Sequence, residues 1–183
     1  MMQTTRQVLI SAIIERELAM FLAVNSRGGT AACQERPESF RLMREVTHGV
    51  LSDAFLQSYL GDLEQAALAG RNCMTEKYAL MEGLIPPLSI APAIREIVQA
   101  EGGWRREVAV QFPRSVHPDG HESFCLYLGC ELQTYSPATL TAYRECVEAA
   151  LRENRNLARE RYELLMRRLG YDSLQHCETS LKA

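Results

Sequence analysis

Residues 59–81 read YLGDLEQAALAGRNCMTEKYALM, and residues 143–165 read YRECVEAALRENRNLARERYELL. The second stretch is the first written again: Tyr143, Glu148, Ala150, Arg155, Asn156, Glu160, Tyr162 and Leu164 each fall 84 residues after an identical residue. The same offset pairs Glu38-Ser39-Phe40 with Glu122-Ser123-Phe124, and Ser52, Ala54 and Leu56 with Ser136, Ala138 and Leu140. With Leu42 and Leu126 this makes 15 identities over residues 38–81, where ordinary residue usage gives roughly 2–4. Upstream the match is looser but keeps its character: Ile10, Ile13, Ile14, Glu17 and Met20 meet Ile94, Ile97, Val98, Glu101 and Trp104. Two copies of one unit are expected, over about residues 5–82 and 89–166. Each is too small to bury its apolar faces alone.

The periodicity within each copy is helical. Ile10, Ile13, Ile14, Leu18 and Phe21 recur at three and four residues, which marks a first helix over about 5–24. Gly28-Gly29 ends it. Pro37 opens a second helix at a first-turn position, running to about residue 51. Ser52 is a good N-cap for a third over about 53–82, with Gly70 a place where it bends or breaks. Adjacent prolines in GLIPPLSIAP (83–92) make a joint between the copies. A fourth helix follows over about 92–111 and a fifth over about 122–135. Ser136-Pro137 reads as the start of a long sixth, ending before Gly170. Runs of β-branched residues are nearly absent. The expectation is therefore an all-α bundle of about six helices: one domain over residues 1–183, two three-helix units related by a pseudo-two-fold axis.

Composition excludes several classes. The chain of 183 residues is 46% hydrophobic and 23% charged, with a net charge of −3. That is an ordinary globular composition with no basic footprint for nucleic acid. No apolar run reaches membrane-spanning length, and Glu15 and Glu17 interrupt the apolar N-terminal segment where a signal peptide would not tolerate them. A cytoplasmic protein is expected, with its six cysteines reduced; Cys-x-x-Cys is absent. Oligomeric state and cofactor are both left open.

The residues able to carry chemistry are carboxylates on apolar faces. Glu17 lies three or four residues from Ile13, Ile14, Met20 and Phe21, so a helix turns it inward. Glu101 repeats this among Ile97, Val98 and Trp104. Glu76 lies between Cys73 and Leu80, and Glu160 between Leu157 and Leu164. A buried glutamate is costly unless it is paired. One reading is a structural network in which Arg71, Arg155, Lys77, Tyr78 and Tyr162 satisfy these four. The alternative is a divalent metal held by Glu17, Glu76, Glu101 and Glu160 between the halves. Against it, no histidine forms a Glu-x-x-His pair at Glu76 or Glu160, and the one such spacing, Glu45 with His48, is not repeated.

The two copies share a scaffold, so a site belongs where they differ. The first copy has Arg44 where the second has Leu128, and Lys77 where the second has Arg161. It has Asp62 where the second has Glu145-Cys146, and it alone carries the Gly28–Gln34 loop. A pocket is expected between that loop and residues 72–77. Gln34, Arg44, Asn72 and Tyr78 would hold a small polar ligand. Glu17 and Glu76 would supply charge or proton transfer. Cys33 or Lys77 would be the reactive group if there is catalysis, since a lysine loses its proton when desolvated and an arginine does not. Binding without catalysis, and an interaction scaffold with no pocket, are the other classes left open.

The chain resembles a bacterial family, domain of unknown function 4125. The resemblance rests on Glu17 with Phe21, Gly28-Gly29, Ala31, Cys33-Gln34, Phe40, Met43-Arg44, Ser58-Tyr59 and Asp62-Leu63. It continues through Asn72, Glu76-Lys77-Tyr78, Met81, Glu131-Leu132 and Tyr135-Ser136. It covers most of the chain and implies no activity. Its polar signature lies almost entirely in the first copy, and it has no histidine matching His48.

Overall fold

In a computed structural model the described residues are 5–24 and 36–181. The Gly28–Gln34 loop, with Cys33 and Gln34, lies outside them. The described residues form nine α-helices: α1 (Thr5–Leu22), α2 (Pro37–His48), α3 (Asp53–Leu68), α4 (Cys73–Met81), α5 (Pro92–Gln111), α6 (His121–Leu132), α7 (Pro137–Arg152), α8 (Leu157–Arg168) and α9 (Leu174–Ser180). A single 3₁₀ turn, Pro118–Gly120, leads into α6. None of these helices is long and apolar enough to cross a membrane.

The helix count corrects the expected six, and local chemistry explains why. The stretch read as one third helix is two, because Gly70 takes a left-handed φ of 68° and ends α3. Asn72 then caps α4, its side chain accepting from Thr75 N at 2.9 Å. The long sixth helix breaks at the corresponding place, where Asn154 sits at φ 52°. Asn156 caps α8 through Arg159 N at 2.8 Å. In both corners a backbone N–H reaches back five residues at 2.8 Å, from Arg71 to Ala66 O and from Arg155 to Ala150 O. A residue with φ > 0 followed by such a bond is the usual way of satisfying the last carbonyls of a helix. The remaining expected starts are as read: Pro37, Pro92 and Pro137 occupy first-turn positions, and Ser52 and Ser136 cap α3 and α7 through Phe55 N and Thr139 N.

α1 packs against α2, α3 and α4, and α5 packs against α6, α7 and α8. Between these sets, α3 packs on α7, α2 on α8, and α4 on α6. Exchanging every helix for the one 84 residues away leaves this set of pairings unchanged. The α3–α7 contact is tied at both ends in the same way. Asp62 Oδ2 accepts the backbone N–H of Ser136 at 2.8 Å, and Cys146 Sγ accepts that of Ser52 at 3.3 Å. Ile13, Phe55, Leu56, Tyr59 and Leu63 pack with Ile97, Leu132, Leu140, Tyr143 and Val147 in one apolar core. At roughly 1.5–3 kcal/mol for each fully buried side chain, this core dominates what holds the halves together.

Candidate functional site

α1 carries Glu17 into the core with 0% of its surface exposed. Arg44 of α2 meets it along one edge, Nε to Oε2 at 2.8 Å and Nη2 to Oε1 at 2.5 Å. Tyr59 Oη donates to Oε1 at 2.8 Å. The carboxylate only accepts, so His48 Nε2 donates to Oε2 at 3.1 Å. The same guanidinium turns its other edge to Glu131 of α6, Nη1 to Oε2 at 3.2 Å and Nη2 to Oε1 at 2.9 Å. Glu131 also accepts from Tyr135 Oη at 2.9 Å and from Lys77 Nζ at 3.1 Å. Lys77 donates in turn to Tyr127 Oη at 2.6 Å and stands 4.0 Å from that ring's centroid. Two carboxylates and two cations thus neutralise one another in a continuous chain from α1 to α6.

This pairing sets the charge states. Desolvation pushes Glu17 upward, but Arg44 and His48 together draw it down to about 2. Glu131 is likewise lowered: burial opposes ionisation, and Arg44 with Lys77 overcomes it. Lys77 runs against expectation. Burial alone would lower it, but Glu131 and Tyr127 leave it above the ordinary lysine range. It is a fixed ammonium rather than a free amine, which removes the reason for regarding it as a nucleophile. Burial and Glu17 raise Tyr59, and burial and Glu131 raise Tyr135, so both hold their protons as donors.

A second, smaller cluster surrounds Glu101, also fully buried. Arg161 of α8 meets it fork to fork, Nη1 to Oε2 at 2.6 Å and Nη2 to Oε1 at 2.8 Å. Tyr143 Oη donates to Oε1 at 2.9 Å.

Beside both clusters lies a cavity of about 760 Å³. Its described walls come chiefly from α2, α6 and α8, with single residues of α1, α4, α5 and α7. They are largely aromatic: Phe21, Phe40, Tyr78, Phe124, Tyr127 and Tyr162. Phe21 and Phe40 stack with centroids 4.7 Å apart. Arg44, Glu131 and Arg161, already occupied by the two clusters, supply polar lining.

The residues singled out in the sequence divide accordingly. Arg44 and Tyr78 line the cavity. Glu17 and Lys77 are buried in the charge chain that supports it. Asn72 and Glu76 lie apart from it. Asn72 caps α4 and donates to Met20 O at 2.9 Å, and Glu76 is gripped by Arg71 at 2.8 and 2.7 Å near the surface. Cys33 and Gln34 fall outside the described residues. The metal alternative is corrected: no group of histidine, cysteine, aspartate or glutamate among the described residues is arranged to hold an ion. Glu17, Glu76, Glu101 and Glu160 are instead taken by Arg44, Arg71, Arg161 and Arg155. Glu131, Tyr127, Tyr135 and His48 belong to the network but were not among the expected site residues. Glu131 and Tyr135 carried two signals in the sequence, their place in the resemblance noted above and their i,i+4 spacing, and His48 stood in the Glu45–His48 spacing. The five described cysteines form no disulfide.

A family model described as "Protein of unknown function (DUF4125)" matches residues 7–179, nearly the whole chain. No curated protein and no solved structure matches it.

Proposed function

From the premise that the chain belongs to the DUF4125 family of proteins of unknown function, we propose that it is a small-molecule-binding protein whose site is the cavity lined by α2, α6 and α8. The observation that carries this is the cavity itself. About 760 Å³ lies inside the range of roughly 300–1,000 Å³ usual for ligand pockets, and aromatic walls with a few fixed polar groups are their usual lining. The charge chain beneath acts as support. Arg44 and Glu131 are locked by partners on α1 and α4, so the polar part of the lining is rigid before any ligand enters. The ligand differs from the small polar molecule expected from the sequence, since these walls favour an apolar body.

The fold supports a further part of the reading, that the chain is an internally duplicated single domain. The invariant helix pairings, the paired corners at Gly70 and Asn154, and the paired bonds of Tyr59 to Glu17 and Tyr143 to Glu101 all recur at the offset of 84. α2 and α6 each pack against a helix of the opposite copy, so neither copy closes alone. In this reading the cavity lies where the copies meet.

The test uses a neutral solvatochromic dye such as Nile red, with native mass spectrometry of the freshly purified chain to detect a retained molecule. Saturable, blue-shifted dye emission is expected. Ser39→Trp at the cavity's exposed edge and Ala158→Phe within it should each weaken the dye by about tenfold or more, with helical circular dichroism retained. Failure of the wild-type protein to bind the dye saturably, or full affinity in both folded variants, overturns the reading.

A further inference from the structure

In and beside the cavity three buried carboxylates, Glu17, Glu101 and Glu131, are cancelled by two buried cations, Arg44 and Lys77, and the partly buried Arg161. Arg105 is left over. It lines the same cavity with 8% of its surface exposed, and no carboxylate among the described residues lies within ion-pair distance of it. Its guanidinium is nonetheless held in place. Nη2 donates to His117 O at 3.0 Å, and the group stands 5.7 Å from the Phe124 ring. A side chain at Gly120 would put its Cβ 2.5 Å from Nη2, so the glycine makes room for the arginine. Nη1 is buried and has no hydrogen-bond partner among the described residues.

A buried guanidinium without a counter-charge is costly, and a buried donor without an acceptor adds to that cost. Proteins keep such a group where something else completes it, and planar recognition of a carboxylate is what arginine does best. The counterpart of Arg105 in the first copy is Phe21, also a cavity residue. The replacement of a ring by a fixed cation is therefore a difference between copies at the cavity wall itself.

Resting on the cavity as the binding site, we propose that its ligand is an organic acid: an apolar aliphatic or aromatic body against the ring-lined walls, with a carboxylate paired to Arg105. The acid neutralises a buried cation that no described carboxylate pairs. The neutral alcohol of the same carbon skeleton does not.

The test is competition against bound Nile red, comparing dodecanoate with dodecanol and 1-naphthaleneacetate with 2-(1-naphthyl)ethanol at low ionic strength. In the wild-type protein each acid should displace the dye at about tenfold lower concentration than its alcohol, or better. Arg105→Gln should bring that ratio to within about threefold, and Arg105→Lys should retain part of it. Dye binding by Arg105→Gln, with the alcohols still competing, shows that the variant's cavity is intact, so a collapsed ratio there is not unfolding. Equal competition by acid and alcohol in the wild-type protein overturns the organic-acid assignment while leaving the cavity as a binding site. An acid preference that persists undiminished in Arg105→Gln overturns the role of Arg105. Absence of saturable dye binding overturns the underlying reading instead.

Discussion

The polar clusters around Glu17 and Glu101 begin from the same plan and end differently. Each has a fully buried glutamate, on α1 or α5, and a tyrosine 42 residues on that donates to it. They differ in where the cation comes from. Glu101 takes its arginine from α8 at position 161, and the pairing stays among α5, α7 and α8. Glu17 takes Arg44 from α2, so the residue matching Arg161, Lys77, is free to reach Glu131 across the interface. With the cation on another helix, a closed ion pair gives way to a chain that joins α1, α2, α4 and α6 beside the cavity. Tyr59 and Tyr143 hold the part that the two clusters share constant.

The largest effect should come from forcing the first cluster toward the second. Arg44→Leu installs the residue found at position 128 and removes the cation shared by Glu17 and Glu131, leaving Glu17 to Tyr59 and His48 and Glu131 to Lys77 and Tyr135. Breaking a buried pair on one side costs about 3–5 kcal/mol, and two carboxylates lose a partner here, so a loss in that range is expected in urea unfolding. A loss below about 1 kcal/mol would mean that water reaches these carboxylates and that the chain of charges is not what ties α1 and α2 to α6.

Acid should act through the first cluster next. Glu17 is lowered from 4.5 to about 2 in the folded protein, and Glu131 is lowered as well. For a carboxylate depressed by folding, the stabilisation is complete above its unfolded value and is lost as pH falls through its folded value. Stability should therefore decline from about pH 4.5 toward pH 2. Glu17 alone accounts for on the order of 3 kcal/mol. Chemical denaturation across that window checks it, and Glu17→Gln should show a distinctly shallower decline. A decline of the same depth in that variant would assign the acid sensitivity elsewhere.

The second cluster offers a gentler comparison. Arg161→Lys gives Glu101 the residue type that the first copy carries at position 77. It keeps the charge but loses the two-pronged contact with Glu101 and the bond to Thr47 O. A loss of about 1–2 kcal/mol is expected, less than for Arg44→Leu because only one carboxylate is involved and it keeps Tyr143. Equal losses for the two variants would erase the distinction between a closed pair and a bridging chain.

Sequence made the helical class, the capped starts and the burial of Glu17 and Glu101 legible, because each depends on neighbours within one or two turns; Glu76 and Glu160, read onto the same apolar faces, pair instead with Arg71 and Arg155 near the surface. Glu17 and Glu101 stood out by lying on apolar stripes, and Arg44 by facing Leu128 across the repeat. Glu131 was among the residues of the family resemblance, but nothing local gave it a role. Its counterpart is Thr47, and its partners Arg44 and Lys77 lie 87 and 54 residues away, so only tertiary packing brings them together. The same holds for the cavity. Its walls come from α2, α6 and α8, which no local pattern connects. Of the polar residues at 72–77 that suggested an adjoining pocket, the structure uses Asn72 for capping and Glu76 for surface pairing, while Lys77 joins the buried charge chain.

The smallest effect separates the two helix corners, and it also explains why six helices were expected. Gly70 and Asn154 hold corresponding left-handed positions at φ 68° and 52°. Glycine reaches that region without strain, whereas other L-residues pay about 1–2 kcal/mol, asparagine less than most. No Cβ contact complicates Gly70, since nothing lies within 4 Å of the position a side chain would take. The backbone term is therefore isolated there. Gly70→Ala should lower stability by about 1 kcal/mol, and Gly70→Asn, which writes the second corner into the first, by less than half of that. In the reverse direction, Asn154→Gly should leave stability within about 0.5 kcal/mol, since relief of strain is offset by the greater freedom of glycine in the unfolded chain. Thermal melts of the three variants at neutral pH resolve the order. If Gly70→Asn proves as costly as Gly70→Ala, the two corners are not interchangeable, and the sequence match at Asn72 and Asn156 extends only to the caps that follow them.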